Sequence, residues 1–326
     1  MKRRNVVSAL ILGAASCAQV VRAQASRGAG RTVRIVVGFP PGGSTDAIAR
    51  IIAPYLAKSM DATFIVENRP GAGARIANTI VKGAKPDGNT LLLTSSSLMA
   101  VYPYVFKNLG YDPLRDFVPV TSVVDMDFGF VASTAAAPGV TTLREYVQWV
   151  KSKPGNDNYG AVGPGSIPHF LGDVLARAGQ VQLNYIPFNG ASPHLQALNG
   201  GQIPFGVDVV AGIVPHLESG RVKLLATSGT ERSVQGVPTA AEAGFGELTT
   251  EDYTGFFYPV GTPAAFVQQV QAAVQAALQQ PSAQESFRKL GFKPSGADSA
   301  QFTQRVQSDY QRWGKIVATS GFKPLD

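Results

Sequence analysis

The sequence is short of the residues that most reactive chemistry needs. It holds one cysteine, Cys17, and three histidines, His169, His194 and His216, in 326 residues. Past residue 17 this excludes disulfides, thiolate nucleophiles and cysteine-ligated metal. The three histidines have no metal-ligand spacing with one another, so no metal is expected. No G-x-x-x-x-G-K-[ST] loop is present, and "GFPPGG" is not the dinucleotide fingerprint, because prolines fill its turn. A pyrophosphate at "GAGARIAN" stays a minor alternative. G-x-S-x-G is also missing, and Ser166 with His169 three residues on is a local pair rather than a triad. No cofactor and no enzymatic activity are expected.

Charge is scarce as well. Charged residues make up 16% of the chain against 44% apolar ones, a globular composition. The formal charge of +7 owes much to the first residues, where Lys2, Arg3 and Arg4 precede an uncharged, mostly apolar run from Val6 to Val21. "VRAQA" then ends in small residues suited to cleavage after Ala23 or Ala25. This is the three-part plan of a secretory signal peptide, residues 1–25. A twin-arginine signal, a lipid on Cys17 and a retained anchor fit less well. Removing residues 1–23 takes away Lys2, Arg3, Arg4 and Arg22 and lowers the charge from +7 to +3. The basic balance thus gives little reason to expect nucleic acid. No later run is apolar enough to span a membrane, and a periplasmic protein is expected.

What the chain does have is a repeated strand, glycine loop and helix. Apolar runs alternate with helical patterns, which predicts βαβ units, a largely parallel sheet and an α/β fold. The design recurs at 35–50, 64–82, 159–178 and 183–199, suggesting two similar lobes. Ligands of open α/β sheets sit beyond the carboxyl ends of the strands, so two facing lobes would enclose a cleft. Pro54 should kink or shorten the first helix. At that helix start, "GFPPGGSTD" leaves backbone amides without intrahelical partners, in a region of partial positive charge. Gly42 and Gly43 let an anion approach the backbone, and Ser44 and Thr45 add hydroxyls. The same pattern is compatible with an ordinary capped turn. His169 and His194 fall near helix starts, as ligand-facing donors or as partly exposed helix residues.

Several ordered stretches together resemble the Bug-type periplasmic receptors of tripartite tricarboxylate transporters. They are "VVGFPPGGSTDAIARIIAPYL", "VENRPGAGA", "KPDGNTLLL", "YGAVGPGSIPHFLGDVL", "IPFNGASPHLQALNGGQIPFGVD", "VPTAAEAGF" and "YPVGTP", spread over residues 31–326. The resemblance implies a two-lobe periplasmic binding protein fold, type II-like, with two crossing segments. Lobe 1 would comprise 31–127 plus 251–326, and lobe 2 would comprise 128–250. It implies a small organic carboxylate as ligand and the transporter's membrane permease as partner; a sensor kinase is the alternative, and a monomer is expected. The ligand-binding residues it carries over are Phe39, Pro41, Gly42, Gly43, Ser44 and Asp46 from the first lobe. From the second they are Gly163, Ser166, His169, Asn189, Gly190, Ala191 and Asp208. Asp46 opposes an anion, so a role in shaping the loop is favoured over ligand contact. Ala74 stands where the family usually has glycine, and Phe188 where tyrosine is common.

Overall fold

The computed structural model describes residues 30–153, 155–188 and 190–326. In its first half, strand β1 (Thr32–Val37) leads through the proline–glycine loop into helix α1 (Ser44–Met60). Then follow β2 (Thr63–Asn68), α2 (Arg75–Lys82), β3 (Thr90–Ser95) and, after a π turn, the short α3 (Tyr102–Val105). Strand β4 (Phe117–Ser133) is 17 residues long. It includes the expected "FGFVAS" strand but begins well before it. Beyond it come α4 (Leu143–Ser152), β5 (Asn158–Val162), α5 (Ile167–Gly179), β6 (Asn184–Phe188) and α6 (Ala191–Asn199). Next are β7 (Phe205–Val209), α7 (Val210–Leu217), β8 (Val222–Thr227) and β9 (Glu251–Pro259). The chain ends in α8 (Ala264–Leu278), α9 (Pro281–Lys289), β10 (Lys293–Pro294) and α10 (Ser299–Ser320).

Two expectations are corrected. The sheet is mixed rather than largely parallel, since β4 pairs antiparallel with β7, β8, β9 and β10, and β3 with β9. Pro54 does not shorten α1, which continues to Met60. Pro54 lies on the exposed face, where the carbonyl that loses its intrahelical donor can turn to water.

Strand order is β2-β1-β3-β9-β4-β7-β5-β6, with β8 and β10 also on β4. Its registers decide where a ligand could sit. β1 is parallel to β2 and β3, and Ser95 at the end of β3 faces Thr254 near the start of the antiparallel β9. β4 pairs with β9 down to Asp127 opposite Glu251, then with β7 from Phe128 opposite Val209. β5 runs parallel to β6 and β7. The carboxyl ends of β1, β2 and β3, and those of β5, β6 and β7, therefore converge on one crossover. The return passage is tied there too: Thr250 N–H donates to the Ser228 carbonyl and Ser228 N–H to that of Phe128, both at 2.8 Å.

Apolar side chains build separate cores on either side of this line. Val33, Ile35, Leu91, Leu93, Phe256 and Tyr258 pack with Ile48, Ile52, Val270 and Val274 of α1 and α8. Phe130, Tyr159, Phe205 and Val207 pack with Phe170 and Leu171 of α5. Helix α10 serves both halves, burying Phe302 and Val306 in a first-half cluster and Trp313 and Val317 in the second-half core. Its Arg305 pairs with Asp125 of β4 at 2.6 Å, and its Arg312 donates at 3.1 Å to Oγ1 of Thr250, the residue just before β9. The apolar periodicity of α10 was legible; its straddling position was not.

Candidate functional site

The β1–α1 loop leaves the sheet at Gly38, which has no room for a Cβ because Ala74 lies against it. Pro40, Pro41, Gly42 and Ser44 are exposed, Phe39 is half-buried, and Asp46 is buried. Gly42 takes a φ of +84°, open to glycine at no steric cost. The Asp46 carboxylate holds the turn shut. Oδ2 accepts the Gly42 amide and Arg50 Nε, each at 2.9 Å, and Oδ1 accepts Asn68 Nδ2 at 2.9 Å. Asn68 Nδ2 also reaches the Phe39 carbonyl, at 3.0 Å. The Arg50 hydrogen bond is the largest cause that holds the Asp46 carboxyl down at about 2, ahead of the Gly42 and Asn68 bonds and against burial. Asp46 therefore stays anionic and is fully engaged inside its own loop. No side chain caps α1, whose N-cap is Gly43, so the start of this helix presents backbone donors and partial positive charge.

The β5–α5 loop repeats the plan. Gly163 and Gly165 have φ of +73° and +75°. The Gly163 amide donates to the Phe188 carbonyl at 3.1 Å, tying this loop to the end of β6. Ser166 is the N-cap of α5, and its hydroxyl oxygen accepts the His169 amide at 3.3 Å. His169 is buried, not partly exposed, and its Nδ1 accepts the Gly165 amide at 3.0 Å. Nδ1 thus carries no proton, and the neutral ring has its proton on Nε2, 3.7 Å from Asp173 Oδ2. The ring stacks on Tyr185 at 3.9 Å, and burial pushes its pKa down to about 4.

In the β6–α6 loop the N-cap Gly190, where φ is +123°, likewise makes no side-chain cap among the described residues. Ala191 is exposed beside it. Asn189 lies outside the described residues. Asp208, near the end of β7, is buried; its Oδ2 meets His194 Nδ1 at 2.8 Å and its Oδ1 accepts the Val209 amide at 2.8 Å.

Of the residues singled out from sequence, Phe39, Pro41, Gly42, Gly43, Ser44, Gly163, Ser166, Gly190 and Ala191 lie on the loops at the crossover. Asp46, His169 and Asp208 lie just behind them with their polar atoms turned inward. Sequence reasoning passed over Arg50, Asn68, Ser96 and Asp252. Arg50 had a signal, four residues after Asp46 on one helix face. Ser96 follows the apolar run of β3, and its amide donates to Asp252 Oδ1 at 3.1 Å. No sequence signal joins residues 156 apart.

A profile of the tripartite tricarboxylate transporter family receptor, TctC, matches residues 48–322. The chain belongs to this receptor family. The "UPF0065 protein in gbd 5'region" of Cupriavidus necator is 34% identical to this TctC-family chain, covering 98% of each. Among solved structures, MatC from Rhodopseudomonas palustris with bound malate is 35% identical at a TM-score of 0.75, covering 88% of this chain and 99% of MatC. Rpa4515 of R. palustris, solved with adipate, is 29% identical at a TM-score of 0.80, covering 90% of this chain and 99% of its own. The TctC-family receptor thus has the periplasmic binding protein fold that the βαβ pattern and the ordered motifs led one to expect.

Proposed function

We propose that the protein captures a small organic carboxylate at the crossover and delivers it to the membrane permease of a tripartite tricarboxylate transporter. It does so without covalent chemistry. The observation that carries this reading is the convergence of two helix starts with no side-chain cap among the described residues, at Gly43 and Gly190, on loops at the carboxyl ends of β1 and β6. Amides so placed donate to a carboxylate at roughly 1.5–3 kcal/mol per charge-assisted bond. Residues 31–127 with 251–326 act as one lobe and 128–250 as the other, and closure about the crossing strands removes water from these bonds. Malate in MatC and adipate in Rpa4515 support a di-acid as ligand. Residues 1–25 serve as the export signal and place the protein in the periplasm.

Calorimetric titration with a panel of mono-, di- and tricarboxylates tests the reading. At least one member should bind. Gly43→Val should weaken that binding by roughly a hundredfold, because its methyls cover the helix start. The fold should stand, since Gly43 has an ordinary φ of −77° and a Cβ there meets nothing closer than the Pro40 carbonyl at 3.4 Å. Failure of every panel member to bind the folded protein would overturn the proposal. Unchanged affinity in Gly43→Val would remove the first loop from it.

A further inference from the structure

The acids near the crossover each have a partner within the chain, although Asp127 Oδ1 is buried without a hydrogen-bond partner among the described residues. Asp46 is taken up by Gly42, Arg50 and Asn68. Asp252 accepts both the amide and the hydroxyl of Ser96. Asp127 and Glu251 face Lys293 Nζ, at 2.8 and 3.7 Å. Asp208, the last residue but one of β7, has one oxygen on the Val209 amide and the other on His194. The His194 ring occupies a slot made for it. It is fully buried, it lies where a Cβ on Gly160 or Gly206 would have to be, and Phe188 packs on it at 5.1 Å. His194 stands in the first turns of α6, directly behind the Gly190–Ala191 loop. The bond to Asp208 therefore fixes α6 to β7 and at the same time occupies the carboxylate at the end of β7.

We propose that this receptor selects carboxylates without an ammonium group, and that His194 is the positioning residue that enforces the choice by keeping Asp208 occupied. The inference rests on the carboxylate-receptor reading above and narrows its ligand class. The helix starts at Gly43 and Gly190 offer donors, which suit carboxylate and hydroxyl oxygens. An ammonium carried beside the carboxylate needs an acceptor, and Asp208 already has a partner on each of its oxygens. Desolvating it there without a partner costs affinity.

The test is calorimetric titration of the purified protein with matched pairs, malate against L-aspartate and adipate against L-2-aminoadipate. In the wild-type protein the amino member of the bound pair should be weaker by roughly tenfold to a hundredfold, the worth of one charge-assisted bond. His194→Ala should shrink that ratio by about tenfold through the freed Asp208, and adding Asp208→Asn to it should restore the ratio. His194→Gln, which still carries a donor, should keep the wild-type ratio. A purely structural role for His194 would weaken both members of a pair alike, so the ratio is the deciding readout. Equal binding of both members by the wild-type protein overturns the selection whatever the variants do. An unchanged ratio in folded His194→Ala overturns the part given to His194. A folded protein that binds neither these acids nor any other member of the carboxylate panel overturns the receptor reading itself, and this inference falls with it.

Discussion

In the β1–α1 loop the amide of Gly42 is held by Asp46, and in the β5–α5 loop that of Gly165 is held by His169. Each holder is the third residue of its helix and reaches back four residues to a glycine of positive φ just ahead of the N-cap. The two loops are thus closed with one geometry and two chemistries. Asp46 works as an anion, held charged mainly by the hydrogen bond from Arg50. His169 works as a neutral acceptor, held uncharged by burial against Tyr185 and Phe170. The difference shows that what a glycine loop requires at this position is a lone pair at the right distance, not a charge. It also makes the two loops vulnerable to different perturbations.

Removing the anion should have the larger effect. Asp46→Ala removes the acceptor of the Gly42 amide and one of the two acceptors of Asn68 Nδ2 at once. Discounting the exposed Arg50, loss of two bonds to a charged acceptor should cost roughly 3–5 kcal/mol of stability. Ligand affinity should drop with it. Urea denaturation gives the first quantity and calorimetry the second. Stability within about 0.5 kcal/mol of wild type, no more than an ordinary surface change, would mean that the prolines alone hold this turn.

Acid should separate the loops by pH. Both folded-state pKa values lie below the ordinary ones, so both contributions are complete above the ordinary pKa and are lost as pH falls. For His169 the window runs from about 6.5 down to about 4, and for Asp46 from about 3.8 down to about 2. Protonating His169 turns Nδ1 into a donor facing the Gly165 donor. The loss should be on the order of 3 kcal/mol, at about 1.4 kcal/mol per unit. A urea midpoint followed against pH should show it, and His169→Gln, an acceptor that does not titrate, should flatten the curve between pH 6.5 and 4. A midpoint that falls equally in both proteins would assign the acid sensitivity to other groups.

The sequence reached the loops more surely than the locks behind them. A strand followed by Gly-Gly and hydroxyls marks a helix start on local grounds, and "FPPGGSTD", "GPGSIP" and "NGASP" all stand where such a start was expected. Local pattern also favoured a loop role for Asp46, because an acid in the first turn of a helix is stabilised there whatever it faces. It had no way to choose between ligand and protein for His194, whose partner Asp208 arrives from another strand. The length of β4 was hidden for a related reason. Its first part, "FVPVTSVVDMD", pairs with β9 and is largely buried under flanking helices, so it lacks the alternation that reveals a half-exposed strand.

A smaller change sharpens the comparison from the side of backbone strain. The β5–α5 and β6–α6 loops meet their positive-φ positions with glycine, at Gly163, Gly165 and Gly190. The segment packed against the β1–α1 loop does not. From Gly71 to Ala74 four consecutive residues have positive φ, and two of them are alanines, Ala72 at +46° and Ala74 at +74°. A left-handed alanine costs roughly 1–2 kcal/mol that glycine does not pay. Against this, glycine gives the unfolded chain more freedom, by roughly 0.4–1 kcal/mol, and the Ala74 Cβ fills the space over Gly38. Ala74→Gly should therefore stabilise the protein by about 0.5–1 kcal/mol, read as a rise in urea midpoint at constant slope. The mirror change, Gly165→Ala, meets both φ +75° and the Val105 side chain and should lower it. If Ala74→Gly lowers the midpoint as well, the Cβ is a packing element that fixes the first loop from behind, and the strain at Ala74 is the cost of that contact.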